Sequence, residues 1–260
     1  MGGGGVRRLG GFLAPLGLVF LLLAGWEAAC HGFNIPPYLL PAPSAVAAAL
    51  IQNAGTLAIA AWRTLTMALE ALAVAALFAG ALALAVSLSR TLGRAVRPLA
   101  VALQVTPVVA IAPLFVIWAG VDHPGRAIVA LAAIVAFFPI FSGAVRGLAA
   151  ADPDLERLFD LYGATPSQRL LRLRLPSAVP FIVEGCKVAA GLAVIGAVVA
   201  EFVAGSGGAQ GLAWRILEAG NRLQTTKMFA AIVALAVMAA GLHVFFQVLE
   251  RRALIWWRGR

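Results

Sequence analysis

Chemistry needs side chains that donate, accept or carry charge at fixed spacings, and this sequence offers few of them. No nucleophile stands at a spacing that pairs it with a base. There is no G-x-x-x-x-G-K-[ST] phosphate loop, no H-E-x-x-H helix and no Cys/His cluster of metal-ligand spacing. His31, His123 and His243 are scattered, and Cys30 and Cys186 lie far apart in apolar surroundings, where they read as small core residues rather than a disulfide. Two kinds of residue remain. Glu70, Glu184, Lys187 and Glu201 are ionisable groups inside long apolar runs. Such a group is a functional candidate by default, although Glu201 reads equally well as a helix-end residue at the water interface. Glu184 and Lys187, three apart on one helix face, are expected to neutralise each other. The second kind is concentrated in one polar stretch, "LFDLYGATPSQRLLRLRLPSAVPF" (158–181), which brings arginines and prolines into a chain otherwise dominated by Ala, Val, Leu, Gly and Ile.

The elements that must position these residues follow from composition. The chain has 260 residues, 62% of them hydrophobic and 12% charged, against about 45–50% and about 25% in soluble domains. A soluble helical bundle is the alternative, and the length of the apolar runs argues against it. Crossing a bilayer takes about 20 mostly apolar residues, and six segments qualify: 12–30, 64–88, 99–119, 127–146, 182–204 and 228–249. In lipid they must be helical, since every backbone group needs an internal partner. The expected fold class is therefore all-α integral membrane with six transmembrane helices. The first segment follows Arg7 and Arg8 and precedes "WEAAC", which is similar to a lipoprotein cleavage site. Glu27 stands where such a site wants a small aliphatic residue, so a retained first span is expected.

Charge placement sets the orientation. With the N-terminus inside, fourteen arginines fall on inner segments (7, 8, 90, 94, 97, 146, 157, 169, 172, 174, 251, 252, 258 and 260). Five cations fall outside (Arg63, Arg126, Arg215, Arg222 and Lys227), and Lys187 lies within a span. Both termini and the polar stretch are thus expected in the cytoplasm. In a soluble chain a net charge of +9 would suggest nucleic acid; here most of the charge faces the cytoplasmic membrane surface, and no nucleic-acid partner is expected. Outside, residues 31–62 carry "NIPPYLLPAPSAV", an extended segment followed by a short helix capped by Ser44. Residues 120–126 form a tight turn, and residues 205–227 form a loop with a glycine hinge and a short amphipathic helix around Leu212–Ala219.

The polar stretch resolves into two short helices. Asp152 caps the first, Pro153 opens it, and Asp154 and Glu156 suit its N-terminal dipole. Leu155, Leu158, Phe159 and Tyr162 form an apolar stripe. Gly163 supplies the C-terminal turn, Thr165-Pro166 starts the second helix, and Pro176 interrupts the chain before the fifth span. An amphipathic hairpin of this kind needs something to bury against. By spacing alone, the anionic membrane surface and a groove on a partner protein are equally suitable.

The stretch resembles the cytoplasmic-loop signature of permease subunits of bacterial ATP-binding-cassette (ABC) importers, in which E-A-A-x-x-x-G is followed by nine residues and then I-x-L-P. Here Gly163 is followed by nine residues and then Leu173, Arg174, Leu175 and Pro176. Arg157, Leu158 and Phe159 occupy the E-A-A positions, with Glu156 one residue earlier. "QVTPVVAIAPLFVIWAG" (104–120), "AFFPIFSGAVRGL" (136–148), "VIGAVVAEFVAGSGGAQGLAWRI" (194–216) and "TTKMFAAIVAL" (225–235) extend the resemblance to the nitrate/sulfonate/taurine-type importer permeases, over residues 36 to 250. That branch also includes carriers of bicarbonate, riboflavin and thiamine-precursor pyrimidines.

The resemblance implies the type I importer permease fold, with a coupling helix between spans four and five (loop 150–176) that docks on a separate ATPase subunit. It divides the chain into a first span with its periplasmic connection (1–60), a transmembrane core (61–250) and a basic tail (251–260). The implied docking residues are Glu156, Leu158, Phe159, Asp160, Tyr162, Gly163, Ala164, Thr165, Leu175 and Pro176, with Arg169 and Arg172 pairing with partner acids or lipid headgroups. Six spans are half of the twelve such importers use, so a second copy completes the pathway. Thr106, Pro107, Trp118, Phe138, Ser142 and Glu201 are its candidate lining. Pro107 and Pro113 kink span three, and Pro139 kinks span four. The implied protein is a transporter subunit of the bacterial inner membrane, not an enzyme. It carries no cofactor of its own, because ATP is bound by two partner ATPases, and it receives solute from a periplasmic or lipid-anchored binding protein. An ion-coupled secondary transporter is the rival reading. It calls for inverted halves and an ionisable cluster at mid-membrane, and neither is evident.

Overall fold

A computed structural model describes residues 4–120, 123–204 and 210–258, and every regular element among them is helical. In chain order these are α1 (Gly4–Gly32), α2 (Pro43–Gln52), α3 (Ala54–Leu88), α4 (Arg90–Val105), α5 (Val108–Ala119), α6 (Pro124–Leu148), α7 (Pro153–Leu161), α8 (Pro166–Arg169), a π-helical turn (Leu170–Arg174), α9 (Leu175–Ala204), α10 (Leu212–Asn221) and α11 (Thr225–Arg258). Four stretches are long and apolar enough to cross a membrane: Ala54–Leu88, Pro124–Leu148, Pro166–Ala204 and Thr225–Ile255. The pair Thr91–Val105 and Val108–Ala119 makes a fifth if it counts as one span, and Gly17–Gly32 is a shorter apolar helix. Length and composition among the described residues thus give four or five spans, where the sequence leads one to expect six.

The expected span at 99–119, read as one helix kinked at Pro107 and Pro113, is instead broken at the first of these, with a bend of 97° between α4 and α5. The cause is local. Proline at 107 removes a helical N–H and pushes the preceding residue out of the helical region. Thr106 accordingly sits at ψ 125°, and Pro107 at ψ 106°. The Thr106 hydroxyl turns back to donate to the Ala102 carbonyl at 2.8 Å, satisfying an acceptor at the end of α4. Pro113 and Pro139 lie inside α5 and α6 without ending either helix.

The chain divides into two compact units. One comprises residues 1–58 and 215–234. Within it α2 begins at Pro43 with Ala42 as its cap. Ser44 is not the cap: its hydroxyl and its amide donate to the Glu27 carboxylate at 2.6 and 2.9 Å, fastening α2 to α1. Trp26 on α1 meets Phe229 on α11 with ring centroids 5.9 Å apart.

The second unit comprises residues 59–214 and 235–260. Its packing sorts residues by size rather than polarity, as expected where lipid is as apolar as the core. Along α3 the buried stripe is Ala68, Ala71, Ala75, Ala79 and Ala83, while Leu69, Val74, Leu77 and Phe78 face outward. Helices α6 and α9 are in backbone contact. A Cβ at Gly143 would stand 2.6 Å from the Phe181 carbonyl oxygen, and one at Gly185 would stand 2.7 Å from that of Pro139. Such separations admit only glycine. Ala132, Ala136, Ala144, Ala178, Ala189 and Ala193 fill the rest of the seam and are all buried.

Candidate coupling hairpin and buried carboxylate

The hairpin is built by capping. The Asp152 carboxylate accepts from the Asp154 amide at 2.8 Å and starts α7. At the other end Gly163 adopts φ 59°. Its amide donates to Asp160 O at 3.1 Å, and the Ala164 amide donates to Phe159 O at 3.0 Å. This is the paired bonding of a Schellman turn, which calls for a left-handed residue at that position. Thr165 and Gln168 then form a reciprocal capping box: the Thr165 amide donates to the Gln168 side chain at 2.9 Å, and the Gln168 amide donates to the Thr165 hydroxyl at 3.3 Å. Both turns are thus closed by their own residues.

An ion cluster then holds α7 to the chain beyond the turn. Glu156 accepts from Arg174 Nε at 2.7 Å and pairs with an Arg169 guanidinium nitrogen at 3.3 Å. Arg169 also pairs with Asp160. The three inner side chains are shielded, with 21% of Glu156, 24% of Arg169 and 33% of Arg174 exposed. Arg169 is therefore paired within its own chain rather than free for a partner acid. Arg172 makes no ion pair among the described residues. Behind the hairpin lies a cavity of about 640 Å³ walled by Arg94, Glu156 and Arg174 together with Ser87 and Pro153.

The outward side of the hairpin is apolar. Leu161 and Tyr162 are 84% and 82% exposed, and Leu155, Leu158 and Leu171 also face outward. Asp160, Gly163 and Thr165 are exposed, Ala164 and Phe159 are half-buried, and Leu175 and Pro176 form the start of α9. Two contacts from α11 brace that start. Trp257 Nε1 donates to the Pro176 carbonyl at 2.7 Å, and Lys187 Nζ donates to Glu250 at 2.7 Å. Lys187 is thus paired across two helices with Glu250, not along its own helix with Glu184. A cross-helix partner with an ideal approach wins over a neighbour on the same face.

The intramembrane carboxylate is held by polar partners inside the fold. Glu201 is 1% exposed at the end of α9. It accepts from the Trp214 amide at 3.2 Å and from the Thr64 hydroxyl at 3.5 Å, and that same hydroxyl accepts from the Leu212 amide at 2.8 Å. Glu201 and Thr64 together cap the N-terminus of α10, accepting from two of its otherwise unpaired amides. Gly211 belongs to the same arrangement: a Cβ there would fall 2.6 Å from each Glu201 oxygen.

The other candidate lining residues are dispersed. Thr106 and Pro107 sit at the break between α4 and α5, Ser142 lies half-buried on α6, and Trp118 is 68% exposed on α5, tilted against Phe115. Phe138 is half-buried on α6. The glycine hinge expected at 205–209 lies outside the described residues. Sequence reasoning missed the Glu156–Arg169–Arg174 cluster and the Thr64 partner of Glu201. The first had a usable signal, since Arg169, Leu170, Leu171, Arg172, Leu173 and Arg174 place charge on more than one face of the second helix.

Residues 73–255 match the family model described as "Binding-protein-dependent transport system inner membrane component". The chain is 35% identical to the riboflavin transport system permease protein RibX of Chloroflexus aurantiacus, over 96% of this chain and 94% of that one. It is 31% identical to the formylaminopyrimidine transport permease protein ThiX of Halalkalibacterium halodurans, over 94% and 96%. It is 29% identical to the taurine transport system permease protein TauC of Escherichia coli, over 93% and 88%.

Proposed function

This chain belongs to the family of binding-protein-dependent transport system inner membrane components, and from that premise we propose how it works. It is the permease subunit of an ABC importer, a multi-pass membrane protein whose family works with ATPase and substrate-binding partners. We infer six spans, with α1 as the first and α4–α5 as a broken third, both termini in the cytoplasm, and a homodimer enclosing the pathway. Thr106, Pro107, Trp118, Ser142 and Glu201 remain the candidates for its wall. The solute is a small organic or inorganic anion or a vitamin-precursor-like molecule, delivered by a periplasmic or lipid-anchored protein.

In this reading α7 and its glycine turn form the coupling helix. Leu158, Leu161, Tyr162 and Thr165 meet a cleft on each of two ATPase subunits, Asp160 and Gly163 shape the tip, and Arg172 faces acids or lipid. Glu156 acts from behind the surface, holding the hairpin closed. The observation that carries the reading is a hairpin locked at both turns and at its base while its apolar stripe stands exposed. A lever must be stiff and must end in a surface that wants burial.

The test is reconstitution with the cognate ATPase and binding protein, measuring ATP-dependent uptake. Gly163→Pro is the decisive variant, because proline fixes φ near −65° where the turn needs +59°. Uptake should be abolished while the purified subunit remains monodisperse. Unchanged uptake would end the lever reading, and uptake by the permease alone down an ion gradient would replace it with a secondary transporter.

A further inference from the structure

The first compact unit contains a small polar cavity of about 190 Å³ with an unusual charge balance. Arg215, Glu218 and Arg222 come from α10 and its end, Lys227 comes from the first turn of α11, Asn53 caps the end of α2, and Thr56 comes from the start of α3. Three cations face a single carboxylate. Both Glu218 oxygens are already engaged, one by Arg215 at 2.9 Å and the other by Arg222 at 3.1 Å. Lys227 makes no ion pair among the described residues, and Arg215 Nε is buried with no acceptor among them. Lys227 stands in the first turn of α11, a helix of 34 residues, whose start carries partial positive charge, although the Met228 amide there already donates to the Gln224 carbonyl at 3.0 Å. Asn53, Thr56 and Gln224 add neutral polar groups that can donate or accept, so the lining carries a net charge of two positives with Glu218 as its one carboxylate.

We propose that this cavity binds a small free oxyanion, of the sulfonate or carboxylate class, on the side of the membrane that the charge bias makes external. Lys227 and Arg222 hold the anion, and the Arg215 Nε proton completes its donors. Size narrows the class. Pockets for drug-sized ligands run to about 300–1,000 Å³, so a cavity of about 190 Å³ takes a short-chain sulfonate and leaves out a fused-ring molecule of flavin size. The inference rests on the importer reading for its meaning, since it places the solute with the small anions, but its test does not depend on that reading.

The test uses the full chain purified in maltoside micelles, which contain no phosphate, with ethanesulfonate titrated calorimetrically at constant ionic strength. Saturable binding is expected. Lys227→Gln and Arg222→Gln should each weaken it by at least about tenfold, as for loss of a charge-assisted hydrogen bond, and Lys227→Arg should retain it. Lys227→Gln breaks no ion pair, so it carries the test if Arg222→Gln does not fold. The proposal is overturned by absence of saturable binding, by equal binding of the neutral ethanesulfonamide or of chloride, or by full affinity in both glutamine variants. It is also overturned if added phosphatidylglycerol fills the site and ethanesulfonate does not. Binding is read without ATPase or binding protein, so its failure leaves the importer reading intact, and a failure of uptake leaves the site intact.

Discussion

Removing the Glu156 carboxylate should loosen the hairpin without unfolding the spans. Glu156 joins α7 to the far side of the turn through Arg174 at 2.7 Å and Arg169 at 3.3 Å. Hydrogen bonds to charged groups contribute about 1.5–3 kcal/mol when shielded, and exposed ion pairs about 0–1. With a fifth to a third of each side chain open to solvent, about 1 kcal/mol for each contact is a fair discount between those limits. Glu156→Ala then costs about 2 kcal/mol, a factor of about 30 in the equilibrium between closed and open hairpin. Hydrogen exchange reads that equilibrium at the amides of Gly163 and Ala164, which close the turn. They should exchange about 10–30 times faster in the variant, with exchange along α6 unchanged. In the reconstituted importer the same variant should hydrolyse more ATP per solute moved. Glu156→Gln keeps one carbonyl acceptor and should fall between. An exchange ratio below about two in Glu156→Ala would mean that the capped turns hold the hairpin by themselves, and the clamp reasoning would fail.

Three further perturbations test the packing. Gly211→Ala drives a methyl to 2.6 Å from both Glu201 oxygens, so the start of α10 must shift at a cost of about 1–3 kcal/mol; a thermal midpoint within about 1 °C of the parent would contradict this. Lys187→Met strands Glu250, which is 16% exposed, and should destabilise by about 2 kcal/mol, most of it recovered in Lys187→Met/Glu250→Leu; a double variant no better than the single removes the pair from the account. Gly185→Ala should destabilise by about 1–3 kcal/mol through its contact with the Pro139 carbonyl, whereas Gly191→Ala, with nothing within 4 Å, should be neutral or gain up to about 1 kcal/mol; equal effects at the two sites would refute backbone contact as the cause.

What could be read from the sequence was what short-range chemistry decides. The Asp152 cap, the Gly163 turn and the Thr165-Pro166 start each depend on residues within four positions, and the structure forms all three. Long apolar runs announced helices for the same reason. Contacts across a turn or between helices were not legible. Glu156 finds partners 13 and 18 residues away, Lys187 finds one 63 away and Glu201 one 137 away. Nothing in a linear pattern favours those pairs over nearer ones such as Glu184 with Lys187. The break at Thr106-Pro107 was half legible. Proline announced a disturbance, but whether a helix bends slightly or turns by 97° depends on where its two halves find packing.

The coupling reading asks that the hairpin and the α6–α9 pair move together, and their lengths and contacts favour it. Residues Pro166–Ala204 run as a single helical path of 39 residues, about 58 Å at 1.5 Å per residue. The hydrocarbon core is about 30 Å thick. About half of this length exceeds the apolar layer; the Pro176 carbonyl ties that stretch to α11, and Lys187 ties the span itself to α11. The π-helical turn at Leu170–Arg174 widens the path without interrupting it. From the first turns of α9 onward, Gly143, Gly147, Gly185 and Gly196 bring α6 and α9 so close that an added Cβ would lie under 3 Å from its neighbour. Interdigitated backbones at that distance cannot slide by fractions of a turn without collision. In the coupling reading proposed above, a displacement applied at Tyr162 is passed through the ion cluster to α9 and shared with α6. Polar variants at the base of the hairpin should therefore uncouple hydrolysis from transport, while added bulk in the seam should disable the span itself.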